Sequence, residues 1–208
     1  MDALALLDYA GVSLFAAAGA LSASRKQLDV IGFVFLATVT GIGGGTARDL
    51  ILGVPVFWVE EHAFIAICAL TAIGTYFTAH LLESRYRWLL WFDAVALAAY
   101  GVYGAYKGLE VTGSPIVAVV MGTLTGTLGG ILRDVLANEP SVLLRKEIYI
   151  SAPLAGAAVF VLADIAGLPI MISAGAGFLV AFGIRSGALI FGWSLPQYQS
   201  RPGRDPQR

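Results

Sequence analysis

The sequence predicts an all-α membrane protein of seven transmembrane helices, built as a 3+3 inverted repeat plus one helix. Three observations predict it. Hydrophobic residues make up 58% of the 208 positions and charged residues only 13%. An average soluble domain is about 25% charged and about 45–50% apolar even with glycine counted. Seven stretches approach the roughly 20 apolar residues that a bilayer requires. Finally, the chain matches itself when shifted by 85 residues.

The spans fall near 8–23, 30–53, 63–82, 88–106, 115–137, 148–166 and 168–192, with a polar tail over 193–208. Trp58, Trp88, Trp91 and Trp193 lie near span ends, where interfacial anchors belong. Basic loop residues set the orientation. Arg25, Lys26, Arg85, Arg87, Arg145, Lys146, Arg201, Arg204 and Arg208 lie on one side of a seven-span chain, and Lys107 alone on the other. The positive-inside rule then places the N-terminus outside and the C-terminus in the cytoplasm. No basic residue precedes Arg25, so the first span is expected to be retained rather than cleaved as a signal peptide. A net charge of −1 gives no reason to expect nucleic-acid binding, and a lone Cys68 forbids an intramolecular disulfide.

Residues 8–55 align with 93–140 without a gap, with 13 identities in 48 pairs. Asp8, Gly19, Thr40, Gly41, Gly44, Gly45, Arg48, Asp49 and Pro55 meet Asp93, Gly104, Thr125, Gly126, Gly129, Gly130, Arg133, Asp134 and Pro140. The repeats run over about 8–83 and 88–166, with the seventh helix at 168–192. Each copy holds three spans, and an odd number inverts the second copy in the membrane.

The run Gly41-Ile42-Gly43-Gly44-Gly45-Thr46 lies inside the second span, and Gly126, Gly129 and Gly130 inside the fifth. Each glycine weakens a helix by about 0.8–1.0 kcal/mol relative to alanine. The sequence therefore predicts that both helices break there, with Thr46 and Asp49 forming a capping box on the second half-helix. Non-helical backbone at membrane depth must be buried in protein or line a cavity. The breaks are expected to meet at a pathway near the midplane. The same glycines also permit close helix packing. Buried charges mark paired or functional sites. Because adjacent helical residues point about 100° apart, the expected partners are Arg48 with Asp134 and Arg133 with Asp49. Asp8 reads as a helix-terminal carboxylate, Asp93 as a deeper one, and Arg185 as either snorkelling or facing the bundle. Glu60-Glu61-His62 reads as a solvated turn. No metal, cofactor or enzyme motif is present, and the glycine run lacks the lysine of a P-loop.

Two copies of Gly-Gly-x-x-Arg-Asp, Gly44–Asp49 and Gly129–Asp134, in spans two and five resemble the prokaryotic branch of the trimeric intracellular cation channel (TRIC) family. The resemblance implies a homotrimer in a prokaryotic inner membrane, with one pore per protomer. It implies passive conduction of monovalent cations, chiefly potassium, along the second and fifth helices. It implies no cofactor beyond permeant potassium or sodium, and no partner beyond membrane lipid and further copies of the chain. The same domain family is also labelled a glycine transporter, so a secondary carrier of a small solute is the alternative. Animal members carry a Lys-Glu-Val motif associated with phosphoinositide binding. Here Lys146-Glu147-Ile148 is only a look-alike.

Overall fold

The computed structural model describes residues 3–82, 84–142 and 148–196. Within these residues the fold is helical: α1 (Ala3–Arg25), α2 (Val30–Leu52), the short α3 (Phe57–Glu60), α4 (Ala63–Thr78) with a 3₁₀ turn at Ala79–Leu81, α5 (Arg85–Thr112), α6 (Pro115–Leu136), α7 (Ser151–Ile165) and α8 (Ile170–Phe191). Five of them, α2, α4 with its 3₁₀ turn, α5, α6 and α8, are long and apolar enough to cross a membrane. α7 is a shorter apolar helix of 15 residues. Arg145, Lys146 and the arginines of the tail lie outside the described residues, as does most of the Lys146–Ile148 look-alike.

The repeat is visible in the helix ends. The N-cap Asp29 of α2 accepts the Gly32 N–H at 2.7 Å, and its 85-residue mate Ser114 accepts the Val117 N–H at 3.4 Å. At the other ends, Gly53 and its mate Asn138 both take positive φ, at 68° and 49°. Packing repeats too: α4 lies against α1 and α2 as α7 lies against α5 and α6, while α1 meets its mate α5 and α2 meets its mate α6. α8 covers α5 and α7.

The basic loops share one end of the bundle. Glu139 pairs with Arg25 at 3.4 Å and Lys26 at 3.1 Å, and the Arg25 guanidinium lies 4.5 Å from the Tyr86 ring centre. Ile148 N–H donates to the Trp193 carbonyl at 3.4 Å, which brings the start of the tail to the same end. At the opposite end the Tyr9 hydroxyl donates to Glu61.

The predicted breaks are absent. α2 is helical through Gly41–Gly45, and α6 through Gly126–Gly130. Continuity wins because each unpaired backbone group in an apolar interior costs several kcal/mol, more than each glycine loses in helix propensity. The glycines serve close approach instead. A Cβ on Gly44 would collide with the Thr125 carbonyl, and one on Gly129 would lie 2.5 Å from the Thr40 carbonyl. These four residues form two mated pairs, so α2 and α6 cross on the pseudo-two-fold axis with each glycine against the other helix's threonine.

Candidate functional site

Two crevices enter the bundle from opposite ends, one in each half of the repeat. Each lies beside one Arg-Asp pair. Arg48 is six residues beyond the middle of the Thr40/Gly44 crossing, and Arg133 six beyond its mate. At 1.5 Å per residue the two arginines lie about 9 Å from the crossing in opposite directions. This separation excludes the cross-pairs expected from sequence.

Each arginine instead holds its own neighbour. Arg48 Nε donates to Asp49 Oδ1 at 2.7 Å, and Arg133 Nε and Nη2 donate to Asp134 Oδ1 at 3.0 and 2.9 Å. The carboxylates are anchored from outside their helices. Asp49 Oδ2 accepts the Phe57 N–H at 2.9 Å, and Asp134 Oδ2 accepts the Val142 N–H, also at 2.9 Å. Asp49 thus caps α3, and the long arginine stem closes the 100° gap between adjacent side chains. The capping box does not form. Thr46 Oγ1 bonds to the Ile42 carbonyl at 2.7 Å and accepts from Trp58 Nε1 at 2.8 Å.

The other predicted site glycines are also packing positions. Gly41 lies against Cys68 and Val12, Gly43 against Leu132, Gly45 against the Phe57 ring, and Gly126 against the Leu97 carbonyl. Gly130 faces Tyr149 and Asp93. The motif thus brings Arg48, Asp49 and Gly45 to one crevice and Arg133, Asp134 and Gly130 to the other.

The larger crevice is a cavity of about 480 Å³ whose lining includes Asp8, Tyr9, Glu60, Glu61, Tyr103 and Lys107. Three carboxylates face one ammonium, and Lys107 is itself paired with Glu110 at 2.8 Å. The cavity is therefore acidic, and it lies at the end away from the basic loops. Arg48 sits beneath it, 2% exposed, with its guanidinium 5.3 Å from the Tyr103 ring centre and 5.7 Å from that of Phe57. The smaller crevice, of about 10 Å³, is bordered by Ser22, Arg25, Leu89, Leu90, Arg133 and Asp134. Ser22 lies 14 residues from Asp8 along α1, so the crevices are about 21 Å apart along that helix.

Sequence reasoning underrated several residues here. Asp8 is not a helix-terminal carboxylate: it is buried and accepts the Tyr100 hydroxyl at 2.6 Å. Asp93 is fully buried and takes Arg133 Nη1 at 2.7 Å. Their identity across the repeat was the available signal. Arg185 faces the bundle, donating to the Ile148 carbonyl at 2.9 Å above the Tyr149 ring. Glu60-Glu61-His62 forms no metal cluster with other ligands among the described residues.

An inverted helical repeat with a charged crevice entering from each end defines a membrane protein of the solute- or ion-passing kind. The family described as "Glycine transporter" matches residues 5–80 and 90–165, two copies again offset by 85 residues. The chain belongs to this family, which is that of the TRIC proteins. It is 50% identical to the TRIC orthologue from Rhodobacter sphaeroides, whose crystal structure superposes with a TM-score of 0.90 over 93% of this chain and 100% of that one. A second prokaryotic TRIC channel is 28% identical, with a TM-score of 0.85 over 92% of this chain and 98% of that one. The Escherichia coli K12 inner membrane protein YadS is 35% identical over 195 residues, 92% of this chain and 94% of that protein.

Proposed function

We propose that this chain is a cation channel of a bacterial inner membrane, preferring potassium, with one pore in each protomer of a homotrimer. The observation that carries the reading is the acidic crevice at one end of the protomer, paired by the repeat with a second crevice at the other. Carboxylates at a low-dielectric mouth concentrate cations and repel anions. The path runs from the outer cavity past Asp8 and Arg48, across the α2–α6 crossing, to Arg133 and the inner crevice. Likeness to channels named TRIC supports cation conduction and the trimer. In this reading α1, α2 and α4–α8, the 15-residue α7 included, span the bilayer with the basic end in the cytoplasm. Potassium preference and lipid contact rest on the family likeness.

The family description supports a second reading, a carrier of glycine or a similar solute. Inverted repeats also build alternating-access carriers. Purified protein in planar bilayers decides between them. Unitary currents reversing near the potassium potential support the channel. Saturable glycine uptake into liposomes without unitary steps would favour the carrier.

A further inference from the structure

The two halves of the repeat hold their mated charges in different arrangements. In the second half, Arg133 spans two carboxylates, Asp134 and Asp93, and the crevice beside it is nearly closed at about 10 Å³. In the first half, among the described residues, the mated Arg48 pairs only with Asp49, and its Nη1 has no hydrogen-bond partner. Asp8, the mate of Asp93, forms no ion pair with Arg48 among the described residues. It accepts the Tyr100 hydroxyl, Tyr103 lines the cavity with it, and the crevice beside it is open at about 480 Å³.

The sequence explains the difference. Under the 85-residue offset the mate of Tyr100 is Phe15, and the mate of Tyr103 is Ala18. Neither mate carries a hydroxyl, so Asp93 is not drawn from its arginine as Asp8 is. Asp93 does accept the Tyr149 hydroxyl, but at 3.5 Å against the 2.6 Å of Tyr100 on Asp8. Phe15 and Tyr100 meet edge-to-face with ring centres 5.5 Å apart.

We infer that the Phe15–Tyr100 pair is a selector that leaves the outer crevice open and lets an Arg133–Asp93 latch close the inner one. The inference rests on the two crevices forming one path. Opening the path requires Asp93 to leave Arg133, which keeps Asp134 and so reaches the arrangement Arg48 already has. Pairing of Asp8 with the vacant Nη1 of Arg48 closes the opposite end.

Ser22 borders the inner crevice and is 3% exposed, so Ser22→Cys in a Cys68→Ser chain reports its opening. Two variants should raise its labelling by a water-soluble thiol reagent in membranes. Asp93→Asn removes the latch. Phe15→Tyr puts a hydroxyl at the 85-residue mate of Tyr100, the position from which Asp8 is bonded in the other half, without changing any charge. Each should increase the labelling rate at least about fivefold, the low end of coupling between linked two-state elements, while Phe15→Leu should not. Unchanged labelling in both folded variants overturns the latch. Loss of fold in Phe15→Tyr leaves Asp93→Asn as the deciding variant, because Arg133 there retains Asp134. Labelling requires no current, so raised labelling in a protein that never conducts would overturn the channel and keep the latch.

Discussion

Arg48 and Arg133 are mates in sequence but not in dependence on their neighbours. Among the described residues Asp49 is the only ion-pair partner of Arg48, whereas Arg133 also holds Asp93. Removing the sole partner of a buried charge typically costs about 3–5 kcal/mol, because the charge is left uncompensated. Asp49→Ala is therefore expected to lower the thermal unfolding temperature in detergent more than Asp134→Ala. Both variants also lose one 2.9 Å bond to a distant backbone N–H, so that contribution cancels in the comparison. Equal losses would mean that Asp93 does not support Arg133. The importance of these four residues was legible in the sequence, since charges recurring in register inside apolar spans demand partners. Their pairing was not. The 100° rule describes where Cβ atoms point and ignores the reach of an arginine stem around a carboxylate fixed by a distant N–H. The tyrosines around Asp8 were also invisible as site residues, because they occur in only one copy of the repeat and so leave no identity to notice.

The glycine motif belongs to the α2–α6 crossing. On an isolated helix, alanine for glycine gains about 0.8–1.0 kcal/mol. At Gly44 and Gly129 the added methyl meets a carbonyl oxygen of the facing helix, and backbone cannot swing aside as a side chain can. Gly44→Ala and Gly129→Ala should therefore each destabilise the protein. Gly74→Ala in α4, where a Cβ would meet nothing within 4 Å, should be neutral or stabilising. Thermal unfolding of the three purified variants tests the contrast, and a gain at Gly44 would remove the close crossing from the fold. Hydropathy located the spans better than their ends: 168–192 nearly matches Ile170–Phe191, but 8–23 and 88–106 fall short of Ala3–Arg25 and Arg85–Thr112. The unbroken course of α2 was not legible. Propensity counts what glycine loses alone, while the gain lies in the carbonyl of a helix 85 residues away. The other role glycine allows, close helix approach, is the one Gly44 and Gly129 take at the crossing.

At the scale of the molecule, two expectations follow from where the crevices lie. The first is orientation. Glu61 and Arg87 lie at opposite ends of the bundle, so Glu61→Cys and Arg87→Cys, each in a Cys68→Ser chain, should label from opposite sides of the membrane. Labelling of both from one side would refute the seven-span topology. The second concerns the number of paths. The outer cavity is bounded by α1, α3, α4 and α5, and the inner crevice by α1, α5 and α6 with the loop after it. All belong to one chain, and the crossing between them is formed by α2 and α6 of that same chain. If the proposed path runs through these walls of one chain, assembly should multiply paths rather than create one. A trimer should then give three equally spaced current levels in a planar bilayer, and covalent crosslinking between protomers should leave the spacing unchanged. Mixed trimers that include Ser22→Cys protomers blocked by a bulky thiol reagent at the crevice Ser22 borders should lose whole levels while the surviving levels keep their size. A central pore shared by three copies would instead give a single level that shrinks gradually as obstructed protomers are added, and that result would exclude conduction through the protomer.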